Sequence, residues 1–284
     1  MSERRACAVV DQPRATNRYR ARQPERDKAL VRRMKELSRR HPRYGYRRIA
    51  ALLRRDGIEV NRKRVQRLWR KEGLKVPMKQ RKRRRLGHSG NSCCLRRSTR
   101  RNEAWTYDFV MDQTSDGRRL KLLVIVDEYT RECLAIEVAR SLEAVDVVRT
   151  LAVLIAARGA PCFVRSDNGP EFIAGAVRAY LKDIEAETLY IEPGSPWENA
   201  YSETFNSRLG DELLKREVFT SLTEAKVLVE QYRRVYNEER PHSALEYRTP
   251  AAFAAGCVAA GSASLRPPQR TGQKTSKTLI ATGT

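Results

Sequence analysis

The sequence predicts an α/β domain, a mixed five-stranded sheet with flanking helices, preceded by a small all-helical domain. Three observations predict it. The charge changes abruptly near residue 101, apolar residues before that point recur at helical spacing, and those after it alternate between strand and helix patterns. Residues 1–101 hold 35 Lys and Arg against 8 Asp and Glu, whereas the rest of the 284 residues hold 22 against 26. A net charge of +23 gathered in one third of the chain implies a polyanionic partner, DNA ahead of a membrane surface. Cations that neutralise phosphates release condensed counterions. No run approaches the roughly 18 to 20 apolar residues of a spanning helix, and the start MSERRACAVV lacks a secretory apolar run, so a cytoplasmic, nucleoid-associated protein is expected. Six cysteines without a C-x-x-C pair and three histidines make no zinc framework. Cys93 and Cys94 beside His88 allow a weak metal reading against that of reduced thiols.

Residues 1–23 show no sustained period and read as a basic extension. From 24 to 76 the pattern is helical. Leu30, Val31, Met34 and Leu37 share one face of a helix that Pro42 stops. Tyr46 to about Arg55 forms a second helix with Ile49, Leu52 and Leu53 inward, closed by Gly57. Asn61 is the N-cap of a third, with Val65, Leu68 and Trp69 inward and Gly73 at its end. Its other surface carries Arg62, Lys63, Arg64, Gln66, Arg67, Arg70 and Lys71. Three short helices with tight connections suit a helix-turn-helix whose last helix reads DNA; a bundle with a solvated charged face is the alternative. Residues 77–101, with Arg81, Lys82, Arg83, Arg84 and Arg85, read as a basic linker that meets phosphate.

From 102 to 258 a second domain is expected. AWTYDFV, LKLLVIVDEY and ECLAIEVAR read as an antiparallel meander whose first turn carries Asp116-Gly117. A helix over about 142–158, the strand CFVRSD, a helix from Pro170, the strand ETLYIEP, and helices over 196–215 and 222–239 complete the ribonuclease H order. Residues 259–284, rich in Ala, Gly, Ser, Thr and Lys, read as a disordered tail.

Asp108, Asp167 and Glu203 are the candidate metal ligands, with 35 residues between the last two. Asp108 lies mid-strand among apolar neighbours, where a carboxylate is costly unless a cation or hydrogen-bond donors neutralise it. Asp112 competes from the same face but is expected at the turn. Asp167 ends a strand before Asn168-Gly169-Pro170, where ligands gather in open sheets and where aspartates also simply make turns. Glu171 beside it is better explained by the helix dipole. In SPWENAYSETF, Ser195 and Glu198 form a capping box, which leaves Glu203 without a structural task and with Asn199 one turn earlier on its face. Asp127 and Glu128 are expected to form a local ion pair with Arg131.

AWTYDFV, VDEYTRECLAIEV, RSDNGPEF, IEPGSPWENAYSETFNSRL and YNEERPHSALEYRTPAAF together resemble the integrase core of bacterial insertion-sequence transposases. The resemblance is to the downstream-frame protein of two-frame elements, and HPRYGYRRIAALLRRDGIEVNRKRVQRLWRKEGL resembles the helix-turn-helix region that precedes that core. The resemblance implies a DDE transposase, similar to retroviral integrases, with Asp108, Asp167 and Glu203 as catalytic metal ligands. It also implies two Mg²⁺ or Mn²⁺ ions, cleavage at element ends and strand transfer by 3′-hydroxyl attack. As partners it implies terminal inverted repeats, target DNA, further copies of the chain on DNA, and an upstream-frame protein or fusion with it. Asn199 and Arg208 are the expected DNA contacts in the core. The family carries Lys or Arg seven residues past the glutamate; here that position is Gly210. A metal nuclease without strand joining and a catalytically impaired DNA-binding regulator of transposition are the alternatives.

Overall fold

The computed structural model describes residues 2–18, 23–76, 98–166, 175–190 and 200–261. The linker cations Arg81 to Arg85, Asp167, Asn199, the Ser195–Glu198 capping box, the Cys93–Cys94 pair and most of the expected tail lie outside them.

In the first 23 residues, where the sequence shows no sustained period, two short helices form, α1 (Glu3–Val9) and α2 (Arg14–Arg18). Their tie is polar: Arg18 donates to Glu3 at 2.7 Å, and Asn17 donates at 3.3 Å. An apolar period is therefore absent because none holds them. Next come α3 (Gln23–Arg40), α4 (Tyr46–Arg55) and α5 (Arg62–Lys71). Leu30, Met34, Leu37, Ile49, Leu52, Leu53, Val65, Leu68 and Trp69 close one core. The side chain of Asn61 accepts from Lys63 N, as its capping role requires, and Gly57 and Gly73 take the left-handed φ of +79° and +66° that only glycine adopts readily.

The sheet is built from β1 (Ala104–Gln113), β2 (Arg119–Asp127), β3 (Cys133–Ala139), β4 (Phe163–Ser166) and β5 (Glu187–Tyr190), in the order β3-β2-β1-β4-β5. The first three are antiparallel, and β4 and β5 add in parallel. α6 (Ala144–Arg158) and α7 (Gly175–Asp183) pack on one face through Val147, Leu151, Val177 and Leu181 against Trp105, Tyr107, Leu123 and Ile125. On the other face lie α8 (Ala200–Leu209) and α9 (Leu222–Glu238), which set Phe205, Leu209, Val229 and Tyr236 against Leu122, Val124 and Val126. Covered on both faces, β2 reads as a continuous apolar run from residue 122 to 126. Burying a side chain such as Phe205 contributes about 1.5 to 3 kcal/mol. A final helix, α10 (Pro250–Gly261), runs past residue 258, so 259–261 continue a helix and do not begin the tail.

Two further expectations are corrected. β1 is longer than AWTYDFV: Asp112 pairs with Leu120 inside the strand, and the turn begins only beyond Thr114, held by Asp116 and Gly117. The helix expected over 196–215 changes register at Gly210. A π-helical turn over Gly210–Leu214 follows α8, closed by Lys215 N bonding Gly210 O at 3.0 Å. Such turns insert one residue into a helix and recur at functional sites.

Candidate active site and nucleic-acid interface

Asp108 sits midway along β1, half-buried, on the face shared by its cross-strand partner Val124 and by α8. Phe109 N donates to its Oδ1 at 2.8 Å and Asn206 Nδ2 donates to its Oδ2 at 2.7 Å. A carboxylate only accepts, so the amide nitrogen of Asn206 must be the atom turned toward it. Asn206 lies three residues past Glu203, on the same side of α8. Phe205 and Leu209 bury the neighbouring stripe against the sheet and leave Glu203 exposed at the rim. Asn206 thus ties the helix that carries Glu203 to the strand that carries Asp108. Sequence reasoning passed over it for Asn199, although its spacing from Glu203 was visible.

The start of α8 is anchored separately. Arg131, with a left-handed φ of 62°, stacks its guanidinium 3.9 Å from the Tyr201 ring. The expected pairing of Arg131 with Asp127 and Glu128 does not form. Asp127 accepts from the backbone amides of Asn102, Tyr129 and Thr130. Glu128 pairs with Arg165 at 2.8 Å, both almost fully enclosed. Burial pushes the Glu128 carboxyl up, against the pull of that arginine. Arg165 reaches it through the β1–β4 pairing, which local sequence does not reveal.

Among the described residues no three acidic, histidine or cysteine side chains converge closely enough to hold a metal; of the three expected ligands only Asp108 and Glu203 are described. The surroundings of Asp108 fit a hydrated divalent cation. Phe109 N and Asn206 Nδ2, two of the groups that donate to it, are neutral, and Asn206 Oδ1 is buried with no hydrogen-bond partner among the described residues, an acceptor that a cation's water would satisfy. Oxygen ligands of this kind suit Mg²⁺ or Mn²⁺. Asp112 Oδ2 is likewise buried and unpartnered among the described residues, two pleat repeats or about 13 Å farther along the strand.

The helical domain docks on this core beside the π-turn. Glu212 accepts from Arg240 at both oxygens, 2.8 Å each, and from Arg48 of α4 at 3.3 Å. Arg43 donates to Asp211 O, Arg55 donates to Glu239 O, and Arg40 pairs with the Glu239 carboxylate at 2.8 Å. Of the expected DNA-reading residues, Arg62, Lys63, Arg70 and Lys71 are exposed and Gln66 is half-buried. Arg64 and Arg67 lie against Asp27 of α3, at 2.6 and 3.2 Å. Arg208 is half-buried at the seam side of α8, where its charge acts on Arg48 and His242.

Family models agree with this arrangement: an HTH-like domain matches residues 25–83, and two integrase core domain models match 98–196 and 185–250. The chain is 40% identical over 255 residues to the insertion element IS407 uncharacterized 31.7 kDa protein of Burkholderia multivorans, which covers 90% of this chain and 91% of that one. The chain belongs to the insertion-sequence transposase family. A second relative, the insertion element IS476 uncharacterized 39.2 kDa protein of Xanthomonas euvesicatoria, is also 40% identical, over 90% of this chain and 73% of that one. The transposase for insertion sequence element IS904 of Lactococcus lactis is 27% identical over 74% and 87%. The fold is the ribonuclease H-like integrase core behind a helical HTH-like region. It is similar to a chain of the simian T-cell lymphotropic virus intasome, with a TM-score of 0.50 and 17% identity over 81% of this chain and 76% of that one.

Proposed function

We propose that this chain cuts DNA at the ends of its insertion element and joins each freed 3′ hydroxyl to a second strand. Asp108, Asp167 and Glu203 would hold the divalent ions, with residues 24–76 and the linker 77–101 gripping DNA and residues 102–258 carrying the chemistry. The observation that carries the reading is the 2.7 Å bond from Asn206 to Asp108, which brings the helix bearing Glu203 onto the strand bearing Asp108. Asp167 follows Ser166, the last residue of β4, directly in the sequence. β4 pairs with β1 through Thr106↔Arg165, two residues short of Asp108.

Mg²⁺ or Mn²⁺, when bound, would supply an activated oxygen nucleophile and charge neutralisation at the leaving oxygen. The chain's own part is placement. Asp108 is held mid-strand by a rigid sheet, Asn206 fixes its Oδ2, and Arg131 fixes the start of α8. Asn199, Arg208 and the exposed cations of α5 are proposed to hold the DNA. Several copies of the chain on DNA and an upstream-frame partner, or fusion with it, are proposed as further partners.

The test is strand transfer on DNA carrying the element's own terminal repeats with Mg²⁺, comparing wild type with Asp108→Asn, Asp167→Asn and Glu203→Gln. Loss of joined product in all three is expected, and activity retained in all three ends the proposal. Cleavage without joining would mark a metal nuclease of the same fold. Gly210, where the family carries a cation, favours a second reading as a DNA-binding regulator. Salt-sensitive binding without any metal-dependent cleavage would establish it.

A further inference from the structure

Carboxylates divide the cations of the helical domain into two groups. Arg64 and Arg67 rest on Asp27, Arg33 on Asp56, Lys35 on Glu72, Arg40 on Glu239 and Arg48 on Glu212. Arg47, Arg54, Arg62 and Lys63 are exposed, and among the described residues none of them has a carboxylate within ion-pair distance. These four line one open groove of about 430 Å³, with Asn61 and Tyr247 completing it and no acidic side chain in its walls.

The groove crosses the seam between the two domains. Arg47 and Arg54 are seven residues apart on α4, two turns and about 10.5 Å along the axis. Arg62 and Lys63 open the first turn of α5, whose positive end adds to their field. Tyr247 comes from the catalytic domain and shares the groove wall with Arg47, whose guanidinium donates to Tyr46 Oη at 3.3 Å. Its loop is tightly specified: Glu246 and Tyr247 both take left-handed φ, 55° and 66°, and Tyr247 N bonds His242 O at 2.9 Å. Conformations of that kind cost roughly 1 to 3 kcal/mol each and persist where the surroundings over-determine them.

Four like charges crowded without an acid repel one another until an anion enters. A small anion would engage one or two of them. A nucleic-acid strand carries a charge every ~3.4 Å of duplex axis, so about three phosphates span the distance from Arg47 to Arg54. We propose that this groove is a two-domain binding site for the DNA phosphate backbone, and that the strand runs along α4 and the amino end of α5, with Asp27 keeping Arg64 and Arg67 off its path. The proposal rests on the reading of the chain as a DNA enzyme and extends it to Arg47, Arg54 and Tyr247, which that reading does not use.

The test measures anisotropy of the full chain with a labelled duplex of about 20 base pairs and arbitrary sequence, over roughly 50 to 200 mM NaCl. Arg47→Ala with Arg54→Ala is expected to reduce the slope of log K against log salt by about 1.8, close to 0.9 per lost phosphate contact. The remote exposed pair Arg149→Ala with Arg234→Ala should leave it nearly unchanged. Tyr247→Phe should weaken binding by about 2- to 10-fold, the worth of one hydrogen bond from its hydroxyl to a phosphate. Wild-type slope retained by the first pair, equal falls in both pairs, or unaltered binding by Tyr247→Phe would each overturn the two-domain site. Wild-type chain that shows no salt-dependent binding would instead overturn the DNA reading itself.

Discussion

Asn206 spends its amide on Asp108, and the value of that contact is measurable. Partners that orient a metal ligand are typically worth 10- to 100-fold in activity. Asn206→Ala is therefore expected to lower metal-dependent strand cleavage by about that factor with DNA affinity unchanged, checked by end cleavage beside anisotropy. Asn206→Asp should be worse, since it sets a second carboxylate within hydrogen-bond distance of the first. His242 gives a second prediction at this scale. Burial, with Arg240, Arg131, Arg48 and Arg208 nearby, pushes its pKa down to about 3. The unfolded chain protonates near 6.5, so the native state takes up its proton later than the unfolded one. Its stabilising contribution is complete above about pH 6.5 and is lost as pH falls from there towards about 3. Glu230, held down at about 2 first by Arg233, acts in the same direction below about pH 4.5. Melting midpoints should fall between pH 7 and 4, and His242→Gln should flatten the upper part of that fall. Asp108 was legible because a carboxylate amid apolar alternation is costly. Asn206 was not, because a polar residue on a helix side looks like one facing water until the sheet beneath it is known.

At the scale of elements, α4 and α5 were legible, since Asn61, Gly57 and Gly73 mark the end of one and both ends of the other chemically. α1 and α2 offered no such marks, and α9 joins β3 by a contact invisible to periodicity: Asn237 accepts from Cys133 N and donates to Cys133 O, occupying the open edge of the sheet as another strand would. The π-turn was hidden for a different reason. One added residue shifts the hydrogen bonds while the apolar spacing around Leu209 and Leu213 still reads as α-helical. Gly210 stands at its start, and a Cβ added there meets nothing within 4 Å. Gly210→Arg should therefore fold as well as the parent and, by returning a cation to the side of Glu203, steepen the salt dependence of DNA binding by about 0.9. Anisotropy titrations across salt read this directly.

Across the whole molecule, the two domains are joined by a buried charge cluster whose members, Arg48, Glu212 and Arg240, are up to 192 residues apart in sequence. Nothing in local pattern pairs them, which is why the seam was illegible while both halves were readable. Glu212→Ala leaves two enclosed guanidinium groups without an anion, a change that typically costs about 3 to 5 kcal/mol. Calorimetry should show a lower transition for that variant, separated into two steps as the halves uncouple. Glu212→Gln, which keeps the shape and loses the charge, should fall in the same direction.

Glu203 and Glu212 are carried by one continuous helical rod, nine residues and about 13.5 Å from end to end. A rod of that length has a single orientation to give. A pull on the amino-terminal module arrives at Glu212 through Arg48, so Glu203 cannot be re-aimed separately: the two acids share an axle.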